Sequence, residues 1–229
     1  MLSGLRAPLR PLVRRVAAPI AARVSSANVV SAAAIPLALA AAAALRLQAW
    51  WLAFWLGLLA ALIDLIDGTV AELKGQRSPQ GNYYETMVDK AVEVIMLVGA
   101  AAAHPTATAL AVGACLMVGF SKARVGLVVI TDNHDWPSIG DRADRMVVFL
   151  TGVFFAGCGA GETAIGIALW IFLVVCAVGL KQRLAHAFAL IAGAERDGTL
   201  LPYLRKSAPT GLTPPSAARP DGSRDDTTP

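Results

Sequence analysis

Long apolar runs, interrupted by short charged or Pro/Gly-containing breaks, recur along the chain and limit its fold more than any other feature. Hydrophobic residues make up 56% of the 229 residues and charged residues only 16%, and the mean hydropathy is +0.58. A water-soluble domain has a more even composition. The runs do not alternate as barrel strands do, so helices are the structures that remain for spanning lipid. The sequence therefore predicts an all-α polytopic membrane protein.

Six of the runs come close to the roughly 20 residues that a bilayer requires, so we predict six transmembrane helices. They lie in a transmembrane domain, residues 25–195, between an N-terminal amphipathic juxtamembrane segment, 1–24, and a cytoplasmic tail, 196–229. The tail is rich in Pro, Ser, Thr, Gly and Asp and cannot bury a core, so we expect it to be mostly disordered. The predicted helices are near 28–46, 49–73, 82–103, 107–131, 143–159 and 163–182.

The N-terminal segment combines basic and apolar residues in a helical pattern. Its arginines fall roughly on one side of a helical wheel, and Val13 and Val16 lie elsewhere. A helix of this kind suits the surface of an anionic membrane, and a disordered basic leader is the alternative. The arginines concerned are Arg6, Arg10, Arg14 and Arg15.

The placement of Lys and Arg predicts the orientation. If the N-terminus is cytoplasmic, the outer connections near 46–49, 104–106 and 159–163 contain Arg46 as their only basic residue. The inner segments contain many, and such an excess marks the cytoplasmic side. We therefore predict a multi-pass protein of the cytoplasmic membrane with both termini inside. The net charge of +4 follows from this topology and from an anionic substrate, and nucleic acid is not an expected partner.

Acidic residues, among them Asp64, Asp67, Glu85 and Asp89, lie in the second and third predicted spans, where a carboxylate is costly unless its charge is compensated. Asp64 and Asp67 are three residues apart on one helix, so both carboxylates face the same side. Glu85 and Asp89 are four apart on the next helix and also share a face. At about 1.5 Å per residue, both pairs lie at a similar depth near the cytoplasmic side. An antiparallel hairpin would bring all four together.

Carboxylates gathered in this way repel one another, and burial costs them several kcal/mol unless cations are present. Mg²⁺ or Mn²⁺ suits such a site, because both prefer oxygen ligands and commonly bind substrate phosphates. Gly68 and Ala71 keep the neighbouring helix surface small, which leaves space for a ligand. The alternative is a set of ion pairs with Lys74, Arg77 or Lys90 near the helix ends.

The segment from Asp64 to Asp89, DLIDGTVAELKGQRSPQGNYYETMVD, resembles the signature of the CDP-alcohol phosphatidyltransferases. That signature reads D-x-x-D-G-x-x-A-R, eight or nine residues, then G-x-x-x-D-x-x-x-D. Every spacing agrees, and the departures are Glu72 in place of Arg and Glu85 in place of Asp. The stretch SANVVS that leads into the first span is similar to the family's P-N-x-x-T. The resemblance covers about residues 24–185.

The resemblance implies a fold and an activity. Members of the family have six membrane helices around a polar cavity that opens to the cytoplasm, and they are usually dimeric, so we expect a homodimer. They transfer a phosphatidyl group from CDP-diacylglycerol to an alcohol acceptor and release CMP. The expected partners of this chain are therefore CDP-diacylglycerol, a small alcohol or polyol phosphate, and membrane lipids.

The resemblance also implies roles for the acidic residues. Asp64, Asp67 and Glu85 would bind two divalent metal ions, Mg²⁺ or Mn²⁺, with Asp89 near the second ion. Asp89 would also be the catalytic general base that deprotonates the acceptor hydroxyl. The implied nucleotide-binding residues are Gly68, Ala71 and Asp64.

Two basic stretches, SKAR at 121–124 and GDRADR at 140–145, resemble elements in members that use a phosphorylated polyol such as glycerol 3-phosphate or inositol phosphate. Guanidinium groups bind phosphate bidentately, which favours an acceptor site. Anchoring of the chain at the cytoplasmic surface is the alternative. The implied acceptor-binding residues are Lys122, Arg124, Arg142 and Arg145.

Two other functions remain open at this point. The departures at Glu72 and Glu85 are compatible with a divergent, catalytically inactive family member. A cation-coupled transporter would use the acidic cluster as an ion relay. That function predicts broken helices or an inverted repeat, and the sequence has neither.

Overall fold

A computed structural model describes residues 6–129, 136 and 139–200, with side chains from residue 10 onward. The expected disorder of the tail beyond residue 200 lies outside the described residues. Every regular element in the described ranges is helical, which confirms the all-α class. The helices are α1 (Arg6–Arg23), α2 (Ala27–Ala32), α3 (Ala34–Arg46), α4 (Trp50–Leu73), α5 (Pro79–Gly99), α6 (Pro105–Gly126), α7 (Arg142–Phe155) and α8 (Gly161–Arg196).

Within the described residues, four helical stretches are long and apolar enough to cross a membrane. The predicted fifth and sixth spans count as one of these, because α7 and α8 form a continuous stretch across a kink. The third predicted span, α5, is not among them, and it carries Glu85, Asp89, Lys90 and Glu93. The number of six spans therefore stays a prediction. The four stretches are Ala27–Arg46, Trp50–Leu73, Pro105–Gly126 and Arg142–Arg196.

Proline and serine set several helix starts. The first span divides into α2 and α3 at Ala33, and Pro36 then lies in the first turn of α3, where a missing N–H breaks no helical bond. Ser78 caps α5, with its Oγ accepting a hydrogen bond from Gly81 N at 3.0 Å. Pro79 and Pro105 occupy the first positions of α5 and α6, which suit their fixed φ angle.

The connection between α7 and α8 is a π-helical turn, Ala156–Ala160. Gly159 and Gly161 adopt φ angles of 106° and 55°, which side-chain-bearing residues rarely take, so these two positions permit the kink. The helix α8 then continues to Arg196, beyond the predicted end near residue 182. At about 1.5 Å per residue its 36 residues span roughly 54 Å, longer than a bilayer core of about 30 Å.

Small residues let the central helices approach closely. Ala38 and Ala41 of α3 are fully buried, and a Cβ at Gly99 of α5 would lie 2.8 Å from Ala42 Cα. Packing through small side chains is how membrane helices bring their backbones together. Large core side chains come from other helices, among them Met96 of α5, Phe149 of α7 and Phe172 of α8.

The first helix docks on the C-terminal half of α4. Ala17 of α1 and Val70 of α4 are both fully buried in one cluster. Lys74 Nζ donates hydrogen bonds to Ala21 O at 3.2 Å and to Val24 O at 2.9 Å, which satisfies carbonyl groups at the end of α1. The N-terminal segment contains the helix α1. Its position on a lipid surface stays a prediction, and so does the division into three segments.

Candidate functional site

Carboxylates from α4 and α5 meet, as their spacing predicts. One oxygen atom from each of Asp64, Asp67 and Glu85 lies within 4.8 Å of the other two. The turn between the two helices includes Gly75, whose φ angle is 63°. Glu85 reaches the group although it replaces the shorter Asp of the signature. The added methylene therefore does not remove its carboxylate from the cluster.

Asp67 is the most enclosed member of the cluster, with 3% of its surface exposed. Its Oδ2 accepts a hydrogen bond from Ser31 Oγ at 2.6 Å, and its Oδ1 accepts one from Gly68 N at 2.6 Å. Ser31 belongs to α2, so the first span helps to orient this carboxylate. The sequence singled out the SANVVS stretch that ends at Ser31 but assigned this serine no contact.

Asp89 joins the cluster through a cation. Arg142 Nη1 lies 2.7 Å from Asp64 Oδ1 and 2.5 Å from Asp89 Oδ1, so one guanidinium links α4 with α5. The N–H directions do not match hydrogen-bond geometry, and the attraction is therefore chiefly one of charge. The sequence predicted Arg142 as an acceptor-binding residue, and the structure places it against the carboxylates.

The residues present fit a hard divalent cation. The donor atoms are carboxylate oxygens, which Mg²⁺ and Mn²⁺ prefer, and three of them are close enough to share one ion. A Cβ at Gly68 would lie 3.7 Å from Glu85 Oε1, so the glycine leaves open space beside the cluster. The cavity of about 20 Å³ lined by Leu45, Trp50 and Glu162 lies at the other end of α4 and has no part in this site.

A second polar region lies where α6 and α8 meet the start of α7. Arg183 donates hydrogen bonds to Asp141 Oδ1 and to Val118 O, the latter at 3.2 Å. Lys122 is half-buried, within electrostatic range of Arg183, and its Nζ lies 5.9 Å from the centroid of the Trp136 ring. The sequence did not predict a role for Arg183. The prediction counted it only among the basic residues at the cytoplasmic end of the sixth span, which was expected to stop near residue 182.

Arg124 and Arg145 are differently placed. Arg124 is exposed on the last turn of α6. Arg145 is 1% exposed, and its Nε and Nη2 donate to Glu93 Oε1 and Oε2 at 2.6 and 2.8 Å. Its Nη1 donates to Gly140 O. All three nitrogen atoms thus have partners within the protein, and contact of Arg145 with an acceptor stays a prediction.

Glu93 completes that arrangement and was not among the predicted residues. It is fully buried, and its Oε2 also accepts a hydrogen bond from Lys90 Nζ at 2.9 Å. An ionisable residue in a span is a functional candidate by default, and Glu93 lies one turn beyond Asp89. That rule would have singled it out.

A family model for CDP-alcohol phosphatidyltransferase matches residues 24–178, which include the carboxylate cluster and Arg142. The chain belongs to the CDP-alcohol phosphatidyltransferase family. The match confirms the resemblance seen in the signature and the enzyme class it implied.

Solved structures agree with this family fold. The chain is similar to Mycobacterium tuberculosis phosphatidylinositol phosphate synthase (PgsA1) with CDP-DAG bound, with a TM-score of 0.65 and 17% identity over 78% of this chain and 94% of that one. It is also similar to the apo form of that enzyme, with a TM-score of 0.65 and 19% identity over 79% and 97%. No curated protein matches the chain.

The departure of this phosphatidyltransferase from its family signature at Glu72 has a structural explanation. Glu72 Oε1 lies 3.0 Å from Arg10 Nη2, and its Oε2 lies 3.3 Å from Arg77 Nη2. Glu72, near the end of α4, therefore links this helix to α1 and to the turn that follows it. Exposed pairs of this kind contribute at most about 1 kcal/mol each, so the link is weak. Lys74, the other cation near this position, is bound to α1.

The two small residues of the signature have different surroundings. Gly68 lies on the helix face that carries the carboxylates, with its N–H bound to Asp67. Ala71 is half-buried against the cluster that joins α1, α2 and α4. The nucleotide contacts of Gly68 and Ala71 stay a prediction.

Proposed function

We propose that this CDP-alcohol phosphatidyltransferase transfers the phosphatidyl group of CDP-diacylglycerol to a phosphorylated polyol and releases CMP. The observation that carries the proposal is the convergence of Asp64, Asp67 and Glu85 within 4.8 Å on the family signature. The similar fold of an enzyme that holds CDP-DAG supports the choice of donor. Glycerol 3-phosphate and inositol phosphate are the first acceptors to test.

In this proposal the cluster holds two divalent ions. Asp64, Asp67 and Glu85 would bind them, with Asp89 at the second. When bound, Mg²⁺ or Mn²⁺ neutralises pyrophosphate charge and stabilises the attacking and leaving oxygens. Ser31 keeps Asp67 oriented toward the cluster, since its hydroxyl donates to Oδ2.

Asp89 is the proposed catalytic base. Its carboxylate would accept the proton of the acceptor hydroxyl, whose oxygen then forms a bond to the phosphorus on the lipid side of the pyrophosphate. The bond from that phosphorus to the bridging oxygen breaks, and CMP leaves with the electron pair. Positioning matters more than basicity here, because a held carboxylate meets the hydroxyl in the reactive geometry. Gly68 and Ala71 would border the cytidine, with Asp64 also in contact with the nucleotide.

The acceptor phosphate is proposed to bind at Lys122, Arg124 and Arg142, with Arg183 added from the structure. Arg183 Nε is buried and has no hydrogen-bond partner among the described residues, so it retains a donor for a ligand. Arg145 supports this region from beneath, since it binds Glu93 and Gly140 O. We assign it a positioning role in place of acceptor contact.

The proposed setting is the cytoplasmic membrane, with the site facing the cytoplasm and two copies forming a homodimer. The excess of Lys and Arg in the inner segments supports this orientation. A cytoplasmic opening is also where a water-soluble polyol phosphate would reach the site.

The test is CMP release by the purified full-length protein in detergent micelles, with labelled CDP-diacylglycerol, Mg²⁺ or Mn²⁺, and each acceptor in turn. We expect release with one acceptor class and its loss on addition of EDTA. Asp67→Asn should abolish release, and Glu195→Gln, an exposed change on α8, should leave it unchanged. Binding of the nucleotide without CMP release under any condition would indicate an inactive family member. Full turnover by Asp89→Asn would contradict the assignment of the base.

A further inference from the structure

Arg142 occupies the position between two carboxylates that are proposed to bind metal. Its Nη1 lies 2.7 Å from Asp64 Oδ1 and 2.5 Å from Asp89 Oδ1, and its side chain is 13% exposed. An ion that bridged Asp64 Oδ1 and Asp89 Oδ1 would need the space that this nitrogen fills, and the two positive charges would repel each other at that distance. The side chain and the ion are therefore competitors.

The backbone that carries Arg142 is tightly held. Gly140, with a φ angle of 74°, packs against α8, where an added Cβ would lie 2.8 Å from Val175 O. Asp141 is bound by Arg183, and Arg145 is bound by Glu93 on α5. The start of α7 thus stays in place, and displacement of Arg142 needs only a change of its own side-chain rotamers.

The guanidinium itself is held less specifically. Its contacts with Asp64 and Asp89 lack hydrogen-bond alignment, and within the described part of the chain its buried Nε has no hydrogen-bond partner. Charge-assisted hydrogen bonds of good geometry are among the strongest side-chain contacts, and Arg142 does not make them here. A divalent cation, with twice the charge and a preference for carboxylate oxygen, is suited to replace it.

We propose that Arg142 is a built-in competitor of the divalent cation, which must displace its guanidinium from Asp64 and Asp89 in order to bind. The side chain supplies the positive charge that keeps two carboxylates from α4 and α5 together. By competing with the ion, Arg142 lowers the metal affinity of the cluster. By neutralising the two carboxylates, it stabilises the site. This inference rests on the proposed metal use of the cluster and adds a residue that controls it.

The test is a Mn²⁺ titration of the full-length protein in detergent micelles, followed by the electron paramagnetic resonance signal of free Mn²⁺, with neither nucleotide nor acceptor present. Arg142→Gln should bind Mn²⁺ more tightly by on the order of tenfold, the equivalent of one contact to a charged group. Arg142→Lys keeps the charge on a side chain without a fork, so we expect a smaller gain. Arg196→Gln, a change of the same charge at the exposed end of α8, should leave the affinity unchanged.

Thermal unfolding is the second measurement, and it tests the inference even if Arg142→Gln is less stable than the wild type. The variant's melting temperature should fall in EDTA, because Asp64 and Asp89 lose their counter-cation, and Mn²⁺ should raise it by more than in the wild type. Equal or weaker Mn²⁺ affinity in both Arg142 variants would overturn the inference even if CMP release proves metal-dependent. Absence of Mn²⁺ binding in every variant would overturn both the inference and the proposed metal use.

Discussion

Neutralising Glu93 should destabilise the protein more than removing Arg145, its bidentate partner. Three contacts hold the Glu93 carboxylate: two from Arg145, at 2.6 and 2.8 Å, and one from Lys90, at 2.9 Å. Glu93 is fully buried, Arg145 is 1% exposed and the Lys90 side chain is 25% exposed. The group has one anion for two cations, so the two substitutions leave different charges behind.

The remaining charges set the magnitudes. Glu93→Gln leaves two adjacent cations without an anion, and an uncompensated buried charge costs about 3–5 kcal/mol. Arg145→Met leaves the neutral pair of Glu93 and Lys90 and loses three contacts, two to Glu93 and one to Gly140 O, for which we expect about 2–3 kcal/mol. In the double variant only Lys90 stays charged, and its stem is long enough to bring the ammonium to the surface. We expect that variant to lose about 1–2 kcal/mol, less than Glu93→Gln alone.

Thermal unfolding of the purified variants in one detergent would measure these differences. At about 2–4 °C per kcal/mol for a chain of this size, Glu93→Gln should melt roughly 10 °C below the wild type. Glu195→Gln, the same substitution at an exposed position of α8, is the matched control and should melt with the wild type. A Glu93→Gln variant within about 2 °C of the wild type would refute the reasoning. Additive losses in the double variant would also refute it, because the two side chains would then act independently.

Two further predictions concern the site and the helix packing. Ser31→Ala removes the hydrogen bond to Asp67, so kcat/KM for CMP release should fall on the order of tenfold, while Ser31→Thr keeps a hydroxyl and most of the activity. Normal turnover in Ser31→Ala would show that Asp67 needs no such support. Gly99→Ala places a Cβ 2.8 Å from Ala42 Cα and should cost about 1–3 kcal/mol of stability, as judged by thermal unfolding. Gly113→Ala, which meets nothing within 4 Å, is its control, and equal melting of the two variants would contradict the packing argument.

The carboxylate cluster could be predicted because it is determined by residues that lie close together in the sequence. The spacing of Asp64 and Asp67, and of Glu85 and Asp89, places each pair on one helix face, and a short turn with Gly75 makes the two helices antiparallel. The cluster follows from those facts alone. The ends of the helices could be predicted less accurately. The helix α8, for example, continues to Arg196, past its predicted end near residue 182, with no break in its backbone.

The partners of the charged residues could not be predicted in the same way. Arg145 meets Glu93 across 52 residues of sequence, and Glu72 meets Arg10 across 62. Which of several arginines near one membrane surface turns inward depends on how the helices pack, and the charge pattern is the same in either case. Arg145 was therefore predicted to bind an acceptor, whereas the structure buries it in an ion pair.

The sequence by itself determined the helical membrane class, the family and the meeting of Asp64, Asp67 and Glu85, because composition and helical period act over a few residues. Only the tertiary structure decided how the cations are distributed. Arg142 lies against the carboxylates because ion pairs hold the start of α7 on α5 and α8. The start of α7 is distant in sequence from α4, so this placement depends on tertiary packing. A charged side chain loses little free energy at a membrane surface, whereas its burial is unfavourable unless an opposite charge lies beside it. Which partner it meets therefore depends on how the helices pack.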